Sequence, residues 1–334
     1  MVITDERRRR VDGDVSHRTL IQGLSTAKRV GRSPVGSHAM RVRAAILTTL
    51  IALLVGPRDI AQAVTVSGKL VTRIPTSQFP RASPDPSGIV YLRRQHRFLI
   101  SDSEVDERTG AGHHRVNLWN IRPSGRVISG RTTRRFSREP TGLGFDPATK
   151  RLFVSDDDAN RIWIDRPGRD GAWGTADDRV RSISVKAYGS TDAEDPFFDR
   201  SSGHLFFLDG DGTEIYRINP VDRVFGNQND RVSHFDIGRL GPTNFEGLGS
   251  DPSRHTLLVG GGDERIYETT KRGRLVRVID VSVIPGLRRI SGITLAPASG
   301  GSGAMNYWIV DRGIDNEARP YENDGDLWEI SIEP

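Results

Sequence analysis

Four aspartates, Asp165, Asp170, Asp177 and Asp178, fall within 14 residues, and Gly168, Gly171 and Gly174 separate them. Carboxylates spaced by glycine can turn back on one another, and hard oxygen donors in an adaptable shell suit Ca²⁺, which takes six to eight of them. Mg²⁺ demands a stricter octahedron, so calcium is the expected ion, with a structural role; another divalent metal is the second choice. The competing reading of the same residues is a solvated turn closed by side-chain to backbone hydrogen bonds. A second acidic stretch carries Asp311, Asp315 and Asp324 in a long connection before Trp328, and these three are further candidate ligands. Two glutamates, Glu194 and Glu246, have a different setting, because each stands at the start of a short apolar strand.

Those strands belong to a repeat that sets where every one of these groups can lie. Five segments share one opening: Ser87-Gly88-Ile89-Val90-Tyr91, Thr141-Gly142-Leu143-Gly144-Phe145, Glu194-Asp195-Pro196-Phe197-Phe198, Glu246-Gly247-Leu248-Gly249 and Ser291-Gly292-Ile293-Thr294-Leu295. A second strand follows in each, ending at Asp102, Asp156, Asp209, Gly261 or Asp311, and then a third with alternating pattern. A repeat of roughly 50 residues made only of strands and turns cannot bury both faces alone, and it predicts an all-β chain folded as a β-propeller. The last copy lacks a fourth strand, whereas Gly68 to Ile74 supplies an unassigned one at the other end. The expectation is therefore a five-bladed β-propeller in which the N-terminal strand completes the last blade and removes two open sheet edges. A six-bladed ring is the minority reading. The Asp residues that end the second strands are expected to form turns. Trp119, Trp163 and Trp328, with Tyr216 and Tyr267, recur on the third strands and are expected to pack between blades.

The strand openings, such as Glu139-Pro140-Thr141-Gly142-Leu143-Gly144-Phe145-Asp146-Pro147 and Asn244-Phe245-Glu246-Gly247-Leu248-Gly249-Ser250-Asp251-Pro252, resemble those of secreted bacterial propellers. The resemblance is to the gluconolactonase/SMP-30-like and phytase-like (esterase-like) propeller superfamily. It implies a divalent metal at the central channel, held by Glu, Asn and Asp at the starts of the innermost strands. The corresponding column here reads Ser87, Thr141, Glu194, Glu246 and Ser291, so only Glu194 and Glu246 offer carboxylates. The loop Asp170 to Asp178 also resembles the acidic loop Asp-Gly-x-x-Gly-Thr-x-Asp-Asp of secreted bacterial proteins. A channel metal would polarise a carbonyl or phosphoryl oxygen and acidify bound water, with Asp195 or Glu139 as candidate base.

The N-terminal region reads separately. Met40-Arg41-Val42-Arg43, the apolar run Ala44 to Val55 and Ala61-Gln62-Ala63 have the order of a secretory signal peptide over 40–63. Residues 1–39 are either a disordered basic extension or sequence upstream of a true start at Met40. Residues 64–334 form a single propeller domain, with no membrane span after signal removal. The formal charge of +5 belongs to the leader: residues 1–63 hold 11 Lys and Arg against 5 Asp and Glu, which leaves 37 against 38 in the remainder. A near-neutral domain argues against nucleic acid as a partner. There are no cysteines, so an exported product relies on burial, ring closure and metal rather than disulfides.

No Gly-x-Ser-x-Gly elbow, His-Glu-x-x-His pair or phosphate-binding loop is present. Three function classes remain. The first is a secreted or periplasmic, monomeric, calcium-stabilised propeller that binds a small molecule or a cell-envelope component through its loops. The second is a metal-dependent lactonase, esterase or phosphoesterase acting at the channel, and the third is a structural or adhesive module.

Overall fold

Three of the five repeats turn their first corner with the same local chemistry. Asp146, Asp199 and Asp251 end three of the first strands, and each carboxylate accepts the N–H two residues on: from Ala148 at 2.9 Å, Ser201 at 3.1 Å and Ser253 at 2.9 Å. The turns then close on residues with positive φ, Lys150 (56°), Gly203 (75°) and His255 (57°). The Asx hydrogen bond holds the corner, so even non-glycine residues take the left-handed conformation there.

The computed structural model describes residues 63–105, 114–314, 319 and 321–332. The described residues all belong to one compact unit, Ile60–Pro334; all of the proposed leader, residues 1–63, except Ala63 lies outside them, as does Asp315. β1 (Val64–Pro75) comes first. β2 (Pro86–Leu92), β3 (Arg97–Asp102), β4 (Leu118–Ile121) and β5 (Val127–Arg131) form one four-stranded antiparallel sheet. β6 (Gly142–Asp146), β7 (Arg151–Asp156), β8 (Arg161–Arg166) and β9 (Arg179–Ser184) form the next, and β10 (Ala193–Asp199), β11 (His204–Asp209), β12 (Glu214–Pro220) and β13 (Asp230–Asp236) a third. The remaining strands are β14 (Phe245–Asp251), β15 (Thr256–Gly261), β16 (Arg265–Thr270), β17 (Leu275–Asp280), β18 (Ile290–Pro297), β19 (Met305–Asp311) and β20 (Asp326–Ile332). These join β1 in an eight-stranded sheet ordered β14-β15-β16-β17-β1-β20-β19-β18.

β1 makes that junction. Its first residues, Val64 to Ser67, pair parallel with Arg277 to Asp280 on the edge of β17. From Gly68 to Pro75 it runs antiparallel to β20, from Ile332 back to Asp326. The N-terminal strand thus covers both edges, and the Arg73 guanidinium pairs with the Asp326 carboxylate (2.6 Å) within this seam.

The first strands β2, β6, β10, β14 and β18 contact one another in cyclic order, with β18 against β2. Glycine permits so close an approach: a Cβ on Gly249 would stand 2.5 Å from the Ile293 carbonyl oxygen, and one on Gly144 would stand 2.7 Å from that of Pro196. The apolar core is correspondingly split into clusters between neighbouring sheets. Val90, Leu99 and Leu118 meet Leu143, Leu152 and Val154 in one, and Ile89, Phe98 and Trp119 meet Trp308, Val310 and Leu327 in another. Strands buried on both faces read as continuous apolar runs, as in Leu205-Phe206-Phe207-Leu208. Trp119, Trp328, Tyr216 and Tyr267 are buried in these clusters. This is a radial, all-β propeller architecture.

Candidate cation sites

The column of first-strand residues predicted to face the channel is set by backbone irregularities. Strand register slips between Pro86 and Gly88, Ala193 and Pro196, Phe245 and Gly247, and Ile290 and Gly292. A bulge re-aims the extra residue, and the residues between those limits include Ser87, Glu194, Asp195, Glu246 and Ser291. The hydroxyl members stitch neighbouring sheets: Ser291 Oγ donates to Pro86 O (2.6 Å), and Thr141 Oγ1 to Ala193 O (3.2 Å). The carboxylate members are left for other work.

Asp195 is not a base. It is fully buried, and its oxygens accept the amides of Leu143 (2.9 Å) and Leu248 (3.0 Å), with the Ile293 amide as a third donor. These amides come from β6, β14 and β18, so one carboxylate from β10 pins three other first strands. Burial pushes its carboxyl well above the ordinary range, against the pull of the three amides.

Glu246 is neutralised. Its Oε1 lies 2.6 Å from Arg289 Nη2 and 3.8 Å from Arg312 Nη1, and Arg312 also reaches Glu104 at 3.3 Å. Asn244 completes this group between Glu246 and Arg289 once its amide is turned to match donor with acceptor.

Glu194 has the opposite environment. Carboxylate oxygens of Asp157, Asp192 and Glu194 all lie within 4.8 Å of one another, and Asp157 also belongs to a second such group with Glu139 and Asp156. Asp157 Oδ1 and Glu139 Oε2 are buried without a hydrogen-bond donor. Like charges so crowded cannot all ionise. Burial, followed by the charges of Glu246, Asp157 and Asp192, drives Glu194 well above the ordinary range. Burial and Asp192 push Asp157 to about 6; burial and Asp211 push Asp192 to about 6. Glu139 rises to about 10 through burial and the neighbouring Asp157 and Asp158. At neutral pH it holds its proton, so it can donate one but cannot serve as the base that the sequence suggested. One end of the channel therefore carries an under-compensated acidic side, with Glu246 and its arginines beside it. An all-oxygen donor set with an orphaned buried oxygen fits a hard divalent cation.

The loop after β8 gathers three of its four predicted ligands: Asp170, Asp177 and Asp178 offer oxygens within 4.8 Å of one another. Asp165 is buried beside Asp178 and is pushed to about 7 by burial and then by that neighbour, with Oδ1 lacking a donor. The loop also holds itself together. Asp178 accepts from Gly168 N (3.0 Å), Thr175 N (2.7 Å) and Thr175 Oγ1 (3.0 Å), and Asp177 accepts from Arg169 N (2.7 Å). Asp177→Ala with Asp178→Ala is accordingly expected to lower the Tm even in excess chelator, because the loop loses the acceptors of these part-buried and exposed hydrogen bonds. A larger loss in calcium, seen as a widened Tm gap, reports the ion. Equal gaps in chelator and calcium would leave only the turn.

The C-terminal acids are held by the protein's own donors. Asp311 accepts the amides of Arg288 (2.9 Å), Arg289 (3.0 Å) and Gly313 (2.9 Å), while burial raises it to about 6. Asp324 pairs with Arg288 Nη1 (2.7 Å) and accepts from Ile314 N. Both act as loop clamps rather than as members of a ligand group. Asp102, Asp156 and Asp209 do the same, each accepting a nearby amide.

The raised acids set a pH dependence. Asp157 and Asp192 near 6 and Asp165 near 7 bind protons more tightly folded than unfolded, where an aspartate titrates near 4. The folded state holds the extra protons between about pH 4 and 7, so stability falls as pH rises through that window. The Tm of chelator-treated protein is expected to drop from pH 4.5 to 7 and to recover with Ca²⁺. A Tm that rises over this range in chelator would contradict the assignment.

Sequence reasoning missed Asp157 and Asp192. The signal was Asp192-x-Glu194, two acids on one side of an extended chain; its partner Asp157 sits on another sheet's loop. Among the described residues no helix is long and apolar enough to cross a membrane.

The sequence matches no protein-family model and none of the curated proteins. Among solved structures it is similar to virginiamycin B lyase from Staphylococcus aureus (11% identity, covering 80% of this chain and 100% of that one, TM-score 0.42). It is also similar to regucalcin, a calcium-binding protein from Agrobacterium tumefaciens (12% identity, 81% and 98%, TM-score 0.45), and to a chain of a nidogen/laminin complex (15% identity, 74% and 84%, TM-score 0.43).

Proposed function

We propose that this chain is an exported, five-bladed β-propeller that binds calcium at two places. One is structural, in the Asp165 to Asp178 loop. The other is the acidic end of the channel, where Asp157, Asp192 and Glu194 would hold an ion open to a small molecule or envelope component approaching through the surrounding loops. The observation that carries this reading is the triad itself, with oxygens within 4.8 Å and a buried Asp157 Oδ1 that no protein donor satisfies. Export rests on the basic, apolar and small-residue order of residues 40–63. Calorimetric titration of the purified, chelator-stripped protein with Ca²⁺ tests it. Two binding events are expected, one lost in Asp157→Asn and the other in Asp177→Ala with Asp178→Ala. Absence of binding, or binding indifferent to both variants, would defeat the proposal.

One observation favours a second reading, metal-dependent hydrolysis. Glu139 is grouped with Asp156 and Asp157, and its burial, which a bound cation leaves in place, favours the protonated form, so it could protonate a leaving group while a neighbouring cation polarises the scissile bond. Lactone, aryl-ester and phosphate-ester substrates would be hydrolysed only with metal, and Glu139→Gln would remove turnover while leaving the calcium titration intact. Turnover unchanged in that variant would remove the acid.

A further inference from the structure

At the opposite ends of the first strands, away from the acid groups, the channel opens into a bowl of about 920 Å³. Its wall is apolar: Val90, Phe145, Phe197 and Leu295 from the strand ends, with Trp173 from the acidic loop. Phe145, Phe197 and Leu295 are only half-buried, so the bowl leaves aromatic and aliphatic surface open to water. Trp173 is fixed in the wall by its Nε1–H, which donates to Lys150 O at 3.0 Å.

All but one of the charged groups that line the bowl are basic. Arg93, Arg94, Lys150 and Arg200 line it and are exposed. Arg254 and Arg277 also line it, but both pair with the buried Glu268. The lining includes one carboxylate, Asp251, which is buried and engaged by the Ser253 and Arg254 amides. An apolar cavity of this volume has the size of a small-molecule site, and charge complementarity fixes what else the occupant must carry.

We infer that this bowl binds an amphipathic anion, an aliphatic or aromatic body bearing a single carboxylate, with the body against Phe145, Phe197 and Trp173 and the head group drawn by the exposed cations of the rim, Arg93 and Arg200 among them. Guanidinium groups pair with carboxylates through parallel N–H donors, and the desolvated apolar body supplies the driving force. The bowl shares Gly171 and Trp173 with the acidic loop but requires no ion there, so its failure leaves the calcium titration to be read on its own.

The test is titration of the full chain with dodecanoate below its micelle concentration, followed by calorimetry and by tryptophan fluorescence. Acetate supplies a head-only probe, dodecan-1-ol a tail-only probe, and dodecyltrimethylammonium the reversed charge. One saturable dodecanoate site per chain is expected, at least tenfold tighter than any control. It should weaken at least tenfold in Arg93→Glu with Arg200→Glu, and persist in chelator. These substitutions lie at exposed positions, and circular dichroism confirms the fold of the variant. No saturable binding, equal binding of either charge, unchanged affinity in the double variant, or loss in chelator, which would place the head group on a loop-bound calcium, each overturns the inference.

Discussion

Replacing Asp195 by alanine is expected to cost about 4 kcal/mol of folding free energy, although the residue touches no ligand. Its carboxylate satisfies amides of Leu143, Leu248 and Ile293 at the centre of the ring, where the close-packed first strands leave little room for a replacement acceptor. Each buried donor left unpaired costs roughly 1–3 kcal/mol, and partial relaxation keeps the total below the simple sum. Alanine also removes the one group that ties the β10 strand to three other first strands by polar contact. Urea unfolding followed by tryptophan fluorescence measures the loss. A change below about 1 kcal/mol would show that the amides find other partners, and the central pin would have to be abandoned.

The second large effect concerns calcium at the acidic end of the channel. Asp157→Asn is expected to weaken binding there at least tenfold, because Asp157 belongs to both acid groups and carries an oxygen with no donor. The wild-type affinity is expected to rise with pH. In the metal-free protein Asp157 and Asp192 titrate near 6 and Glu194 well above its ordinary value. A carboxylate must be deprotonated to ligate a cation, so binding expels protons below those values. Apparent affinity should climb between pH 5 and 7, and calcium added to weakly buffered protein should release acid. Measuring both in the Asp177→Ala, Asp178→Ala background isolates this site from the loop. A pH-independent affinity, or no proton release near pH 6, would show that these acids are not the ligands.

By itself the sequence determined the strands, their turns and the repeat, because these depend on neighbours along the chain. The second strands Arg97–Asp102, Arg151–Asp156, His204–Asp209 and Thr256–Gly261 are readable as apolar runs ending at Asp or Gly, and the acidic loop is readable from its glycine spacing. The use of Gly68 to Ile74 as an outer strand follows from counting strands in the last copy. What the tertiary structure alone decided is which charged groups meet. Glu194 and Glu246 look equivalent in the repeat, yet Arg289 and Arg312 reach one of them while Asp157 and Asp192 crowd the other. Asp195 follows Glu194 directly, yet a bulge places it under three amides. Ring closure sets these outcomes, since it brings together loops separated by tens to hundreds of residues, and the balance between burial and nearby charge exists only once the blades are packed.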